Sequence, residues 1–173
     1  MKERHTPASR IALAGVLAGM AVAVMALGGF IPIATFVCPM IAMAFALTVK
    51  LSCGARVAWA WYGAVAILSA ILSPDREAAG VFLFLGYYPL VKQWLDGRRL
   101  KLLWKGIYFN LSIGALYFLL LKVLGLEELN REFQDTGAAL LVLTLVMGNV
   151  TFFLMDVFLT RLERILKNRG RTS

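Results

Sequence analysis

The chain has 173 residues, of which 60% are hydrophobic and only 16% are charged, and its mean hydropathy is +0.76. Such a composition cannot fold around one water-soluble core without exposing large apolar patches, so we expect lipid around most of the chain. The net charge of +8 would suggest nucleic acid in a soluble protein, but no polar domain contains Lys and Arg interleaved with aromatic residues, so we expect no nucleic-acid partner.

The first apolar segment covers residues 11–30 and follows a short basic N-terminal stretch. Its length of about twenty residues fits a bilayer crossing and exceeds the roughly 7 to 15 apolar residues of a secretory signal, so we predict a retained span. Within it Ala14 and Ala18, and also Gly15 and Gly19, repeat at four-residue spacing. Small residues at this spacing let another helix approach closely, so we predict a partner-helix interface at these four positions.

Two further spans are predicted at residues 33–51 and 55–72. Pro39 lies inside the first of them and is expected to kink it, because proline removes one helical hydrogen bond. The second carries Trp59, Trp61 and Tyr62 near its start. Amphipathic rings prefer the edge of the hydrocarbon layer, so this end of the helix is expected at the membrane surface.

The fourth predicted span, residues 74–94, has the most unusual sequence in the chain. Ser73 is expected to cap it, Pro74 suits the first helical position, and Asp75 and Glu77 complement the positive end of the helix dipole. The span then contains the turn-like sequence Gly86-Tyr87-Tyr88-Pro89. A plain apolar helix does not require such a sequence, so this stretch is a candidate functional element.

Spans at residues 102–124 and 138–160 follow, separated by a polar connection, and a basic tail occupies residues 161–173. We therefore predict an all-α fold. Residues 1–173 form a single polytopic membrane domain, an integral bundle of six transmembrane helices.

The distribution of basic residues predicts the orientation of this bundle. With six spans and a cytoplasmic N-terminus, the outer segments contain only Arg76, Lys122 and Arg131, and the other fifteen of the 18 Lys and Arg residues lie inside. Cytoplasmic segments of membrane proteins carry an excess of Lys and Arg, so both termini are expected in the cytoplasm.

A few polar side chains lie within the predicted spans, where each unsatisfied polar group is costly and requires a reason. The set comprises Glu77, Tyr87, Tyr88, Lys92, Asn110, Asn149 and Asp156. All of them except Glu77 fall in the middle or the inner half of a span. They are therefore able to converge on one polar cluster between spans four, five and six.

One interpretation of this cluster is structural. Asn110 and Asn149 would hydrogen-bond across two helices, and Lys92 or Lys105 would pair with Asp156 near the inner surface. For Glu77 the structural role would be to complement the helix dipole and to pair with Arg76.

The other interpretation is a pocket for a small molecule, with tyrosines as stacking or hydroxyl partners and asparagines as hydrogen-bonding groups. Glu77 would then lie at the mouth of an outward-facing pocket. The candidate substrate-binding residues are Glu77, Tyr87, Tyr88, Asn110 and Asn149, and the candidate inner-side ion pair is Lys92 with Asp156.

An enzyme is not expected. The sequence contains no Ser/His/Asp or Cys/His combination, no HExxH motif and no Walker phosphate loop. Its single histidine is His5, and Cys38 and Cys53 would lie about 22 Å apart on one helix, too distant to pair and too few for a metal site. We therefore expect neither a cofactor nor a bound metal ion.

The chain resembles the S-components, the substrate-binding membrane subunits of energy-coupling factor (ECF) transporters. The similarity lies in the size, the six spans, and the segments Ala14-Gly15-Val16-Leu17-Ala18, Gly29-Phe30-Ile31-Pro32 and Gly86-Tyr87-Tyr88-Pro89. The resemblance implies a bacterial cytoplasmic (inner) membrane protein that takes up a vitamin-like molecule or a metal. It also implies that the first helix packs on a transmembrane coupling subunit, which two ABC-type ATPases energise, and that the substrate lies toward the outer side among spans four to six.

Two alternatives belong to other classes. A non-catalytic membrane scaffold or assembly protein, with a layout similar to that of the shape-determining protein MreD, would use small-residue helix faces to hold its partners. A stand-alone secondary transporter would move its substrate without an ATPase.

Overall fold

The computed structural model describes residues 7–28, 34–122 and 138–172, and this part of the chain is helical apart from short turns. The all-α prediction is therefore confirmed for these residues. In chain order the helices are α1 (Pro7–Gly28), α2 (Ala34–Cys53), α3 (Ala55–Leu72), α4 (Arg76–Leu85), α5 (Tyr88–Asp96), α6 (Lys101–Lys122) and α7 (Ala138–Thr172).

Four of these helices contain stretches long and apolar enough to cross a membrane. They are Ala8–Gly28, Phe36–Cys53, Ala55–Leu72 and Leu145–Asn168, with mean hydropathies of 2.3, 1.8, 1.5 and 1.5. Large apolar side chains such as Ile11, Ile71 and Leu154 point outward from these helices, as lipid-facing side chains do. These features indicate a multi-pass membrane protein.

The fourth predicted span, residues 74–94, is not one helix. It is divided into α4 and α5, which are separated by Gly86 and Tyr87. Pro89 explains the division, because it has no N–H to donate to the carbonyl four residues earlier and its ring would collide with that carbonyl. The cap of α4 also differs from the prediction: the Asp75 side chain, and not that of Ser73, accepts a 2.9 Å hydrogen bond from the Ala78 N–H.

The predicted end of the last span differs from the structure. The basic tail predicted at residues 161–173 continues α7 as far as Thr172, so α7 is 35 residues long and extends well beyond the predicted span. The connections at residues 29–33 and 123–137, including the Gly29–Pro32 segment, lie outside the described residues.

Helix α2 is central to the bundle and packs against α1, α3, α4, α5 and α7. Its buried face contains Ala42 and Ala46, which allow close approach, together with Leu47. Side chains that donate to main-chain carbonyls tie the helices together. Trp61 Nε1 donates to the Ala14 carbonyl at 3.0 Å, and Lys50 Nζ donates to the carbonyls of Pro89 and Leu90 at 3.0 and 3.2 Å.

Candidate functional site

The interruption between α4 and α5, which we call the break, is the main irregularity in the described helices. The Gly86 N–H still bonds the Phe82 carbonyl at 2.7 Å, and the next bond runs from the Leu90 N–H to the Tyr87 carbonyl at 2.9 Å. With 10 residues in α4 and 9 in α5, each piece is about 14 to 15 Å long. The break therefore lies near the middle of the stretch that was predicted to cross the membrane.

Two tyrosine hydroxyls donate hydrogen bonds to carbonyls at the end of α4. In a continuous helix the carbonyls of Leu83 and Phe84 would accept from the N–H groups of Tyr87 and Tyr88. Here the Tyr62 hydroxyl, on α3, donates to the Leu83 carbonyl, and the Tyr108 hydroxyl, on α6, donates to the Phe84 carbonyl at 3.4 Å. The neighbouring helices thus satisfy polar groups that the interruption would otherwise leave without partners.

An aromatic cluster, formed by Trp59, Tyr62, Tyr87 and Tyr108, surrounds the break. The ring centroids of Trp59, Tyr62 and Tyr87 are 5.7 to 6.1 Å from one another, and Tyr108 is 5.6 Å from Tyr87. Trp59 is exposed and the three tyrosines are half-buried. The break therefore presents aromatic faces and edges at the surface of the bundle.

No side chain is tolerated at Gly86 without movement of the neighbouring helix turn. A Cβ atom there would lie 2.8 Å from two Phe82 ring carbons and would collide with the Phe82 carbonyl oxygen. We expect Gly86→Ala to lower the free energy of unfolding by about 1–3 kcal/mol, measured by denaturant titration in detergent. The matched control is Gly97→Ala at the end of α5, where the nearest contact would be 3.6 Å. Equal stability of the two variants would contradict the packing at the break.

Four charged side chains meet beside the break and form what we call the charge cluster: Lys92 and Asp96 of α5, Lys105 of α6, and Asp156 of α7. Lys92 Nζ lies 2.7 Å from Asp96 Oδ2 and 3.2 Å from Asp156 Oδ1. Lys105 Nζ lies 2.5 Å from Asp96 Oδ1 and 2.8 Å from Asp156 Oδ2. Each ammonium group thus contacts both carboxylates, and the two positive and two negative charges balance.

Most of this cluster is buried, since Lys92, Lys105 and Asp156 are only 2%, 4% and 9% exposed. Each of these charges would therefore be costly without a partner. The Tyr88 hydroxyl donates to Asp156 Oδ1 at 2.6 Å, so the first residue of α5 connects the break to the cluster. Asp96 lies at the end of α5 and is more open. Its burial acts to raise its pKa, but hydrogen bonds from Lys105 and Lys92 outweigh that effect and hold the pKa below its usual range.

Asn110 and Asn149, two of the predicted substrate-binding residues, bond to each other. The Asn110 amide N–H groups donate to Asn149 Oδ1 at 3.0 Å and to the Gly106 carbonyl at 2.8 Å. Those of Asn149 donate to Asn110 Oδ1 at 3.2 Å and to the Leu145 carbonyl at 2.9 Å. All four amide hydrogens are used, so the pair links α6 to α7 as a reciprocal hydrogen-bonded contact.

The other predicted binding residues are distributed between two places. Tyr87 belongs to the aromatic cluster and Tyr88 reaches the charge cluster. Glu77, which is half-buried in the first turn of α4, lies about three helical turns from the break. The structure therefore does not bring Glu77 to the tyrosines.

The predicted partner interface on α1 is divided between two faces. Ala14 is 7% exposed and packs inside the bundle, where its carbonyl accepts from Trp61, and Ala18 is half-buried. Gly15 and Gly19 are exposed, and a Cβ at either position would meet nothing within 4 Å. Ala14 is therefore occupied by packing inside the bundle, and Gly15 and Gly19 form the open part of the predicted interface.

Asp96, Tyr62 and Tyr108 belong to the site but were not among the predicted binding residues. Asp96 follows Lys92 by four residues, which is the spacing of a helical ion pair, and this signal was present in the sequence. No signal in the sequence indicated the roles of Tyr62 and Tyr108, because these roles depend on where α3 and α6 pack.

Among the residues that the structure describes, no three His, Cys, Asp or Glu side chains are arranged to hold a metal ion. Cys38 and Cys53 are both free thiols. Comparisons of the chain with protein-family models, with curated proteins and with solved structures found no match.

Proposed function

We propose that the chain is a six-span protein of the bacterial cytoplasmic membrane that binds a small organic molecule at the break and serves in its uptake. In this proposal it is the S-component of an ECF-type transporter. A separate transmembrane coupling subunit and two ABC-type ATPases supply the energy, and the chain itself is not an enzyme.

The observation that carries the proposal is the break itself. A continuous helix satisfies its own backbone in lipid, whereas an interrupted one needs partners for the freed groups. Here two tyrosines from other helices supply those partners. Interrupted helices near the middle of the membrane form the substrate sites of many transporters.

The chemistry of the break favours an organic, vitamin-like substrate over a bare metal ion. The aromatic cluster offers ring faces, which suit a flat ring or an organic cation. The hydroxyls of Tyr62 and Tyr108 already donate to carbonyls of α4. A hard metal ion would instead require several oxygen anions or carbonyls converging on one point.

The proposed orientation rests on charge. Fifteen of the 18 Lys and Arg residues lie on the side of both termini when the chain crosses six times. Helix α7 also continues beyond its apolar part as a basic helix. Both features support cytoplasmic ends.

A thermal-shift screen of vitamins on the purified chain tests the binding site. We expect one compound to raise the melting temperature, and we expect Tyr87→Leu or Trp59→Leu to weaken its affinity by about tenfold or more, equivalent to about 1.4 kcal/mol. Trp94→Leu is the matched control, because Trp94 is an exposed aromatic residue at the far end of α5. A compound that binds all these variants equally would place its site elsewhere.

A scaffold role, similar to that of MreD, is the second candidate. It is favoured by the open face of α1, where Gly15 and Gly19 leave room for the backbone of another helix. A stand-alone secondary transporter, the third, would show substrate flux in liposomes without ATP.

A further inference from the structure

The turn between α5 and α6 concentrates positive charge at one end of the bundle. Arg98 and Arg99 lie in this turn, and Lys101 begins α6. Lys92 and Lys105 nearby are balanced by two aspartates, whereas none of the salt bridges among the described residues involves Arg98, Arg99 or Lys101. The turn therefore carries three surplus positive charges.

Two tryptophans hold Arg98 in place. Its guanidinium carbon lies 4.1 Å from the ring centroid of Trp94 and 5.0 Å from that of Trp104. A guanidinium stacked on rings keeps its N–H edge free for bidentate bonding to a phosphate. Tryptophans also prefer the depth of the lipid headgroups, so the two rings set this turn at the membrane surface.

A shallow and largely open strip along one face of α6, which we call the groove, begins at this turn. It is lined by Arg99, Leu100, Lys101, Leu102, Leu103, Gly106, Ile107 and Asn110. From Lys101 to Asn110 the helix rises about 13 to 14 Å, close to half of a hydrocarbon layer of about 30 Å. At the far end, the Asn110 amide hydrogens are already bonded, so the groove offers no free donor there.

We propose that this groove binds an anionic phospholipid of the cytoplasmic leaflet. The phosphate lies against Arg98, Arg99 and Lys101, and one acyl chain follows the groove across Gly106 toward Asn110. The positive end and the apolar length match the two parts of such a lipid, and basic sites at the cytoplasmic surface bind anionic headgroups in this way. The inference rests on the membrane location in the proposed function but on no uptake substrate or partner.

Native mass spectrometry of the detergent-purified chain tests the proposal, with phosphatidylglycerol and phosphatidylcholine of identical acyl chains in equal amounts. We expect phosphatidylglycerol to bind preferentially, with each basic residue contributing about fivefold to the preference and salt weakening it. The variant Arg98→Gln, Arg99→Gln, Lys101→Gln should lose the preference. The control variant Arg56→Gln, Arg161→Gln, Arg164→Gln removes three exposed charges elsewhere and should keep it.

The groove is tested separately from the charges. Gly106 and Gly114 both lie on α6, and a Cβ at either meets nothing within 4 Å, but only Gly106 lines the groove. Gly106→Leu should therefore weaken phosphatidylglycerol binding, whereas Gly114→Leu should not.

Three results would overturn the site: equal binding of both lipids, equal loss in the two triple variants, or displacement of the lipid by soluble glycerol phosphate. These results leave the transport proposal standing. Failure of the chain to enter membranes would instead remove the membrane location on which both proposals depend.

Discussion

Asp156→Asn is expected to lower the free energy of unfolding by about 3–5 kcal/mol, because it leaves a buried charge without its partner. The carboxylate contacts Lys92 and Lys105, and only Asp96 would remain to neutralise both. The asparagine has nearly the same size and can still accept from Tyr88, so the loss reports the charge. Unfolding in mixed detergent micelles, followed by tryptophan fluorescence, measures it.

Two further variants separate charge balance from local damage. Asp96→Asn should cost less, since the Asp96 side chain is 37% exposed and reaches water more readily. Adding Lys105→Met to Asp156→Asn should recover part of the loss, because the remaining Lys92 and Asp96 again balance. If Asp156→Asn unfolds at the wild-type denaturant concentration, the cluster does not stabilise the fold.

Removing the two hydroxyls at the break is expected to be the second large effect. In the double variant Tyr62→Phe, Tyr108→Phe, the carbonyls of Leu83 and Phe84 lose the groups that donate to them. In the hydrocarbon layer, where no water replaces the lost donors, each carbonyl left unsatisfied costs about 1–3 kcal/mol. The ring packing is retained, so a loss of stability in the same unfolding assay reports the hydrogen bonds.

Pro89→Ala provides the internal control for that result. An alanine restores the missing N–H and permits a continuous helix, in which residues 87 and 88 can donate to the two carbonyls. The loss caused by the tyrosine changes should therefore be smaller in the Pro89→Ala background. Equal losses in both backgrounds would mean that the tyrosines stabilise the bundle in some way other than through the break.

Much of the fold could be predicted from composition and apolar segment length. The bounds of α3 are those predicted, residues 55–72, because Gly54 and Ser73-Pro74 interrupt the apolar sequence on both sides. In contrast, the division of the fourth span did not follow from hydropathy. One helix of about twenty residues and two short helices in line contain the same number of apolar residues, so hydropathy cannot distinguish them. The hydroxyls that stabilise the break come from α3 and α6, which are distant in the sequence.

One contact of the site was predictable because it depends only on the depth of the side chains in the membrane. Lys92 and Asp156 are placed at similar depth by their positions in the spans, and the structure brings them within 3.2 Å. The direction in which a helix faces was not predictable. Ala14 and Gly15 are adjacent in the sequence, and only the packing of α1 on α2 and α3 determines that the alanine is buried and the glycine exposed.

Co-purification of the tagged chain from native membranes in mild detergent, with mass spectrometry of the recovered proteins, tests the proposed function most directly. We expect two ABC-type ATPases and one transmembrane coupling subunit to be recovered. Gly15→Leu with Gly19→Leu should reduce that recovery, because these positions form the open face of α1. Recovery of cell-envelope assembly proteins in place of the ATPases would contradict the transport proposal and support a scaffold.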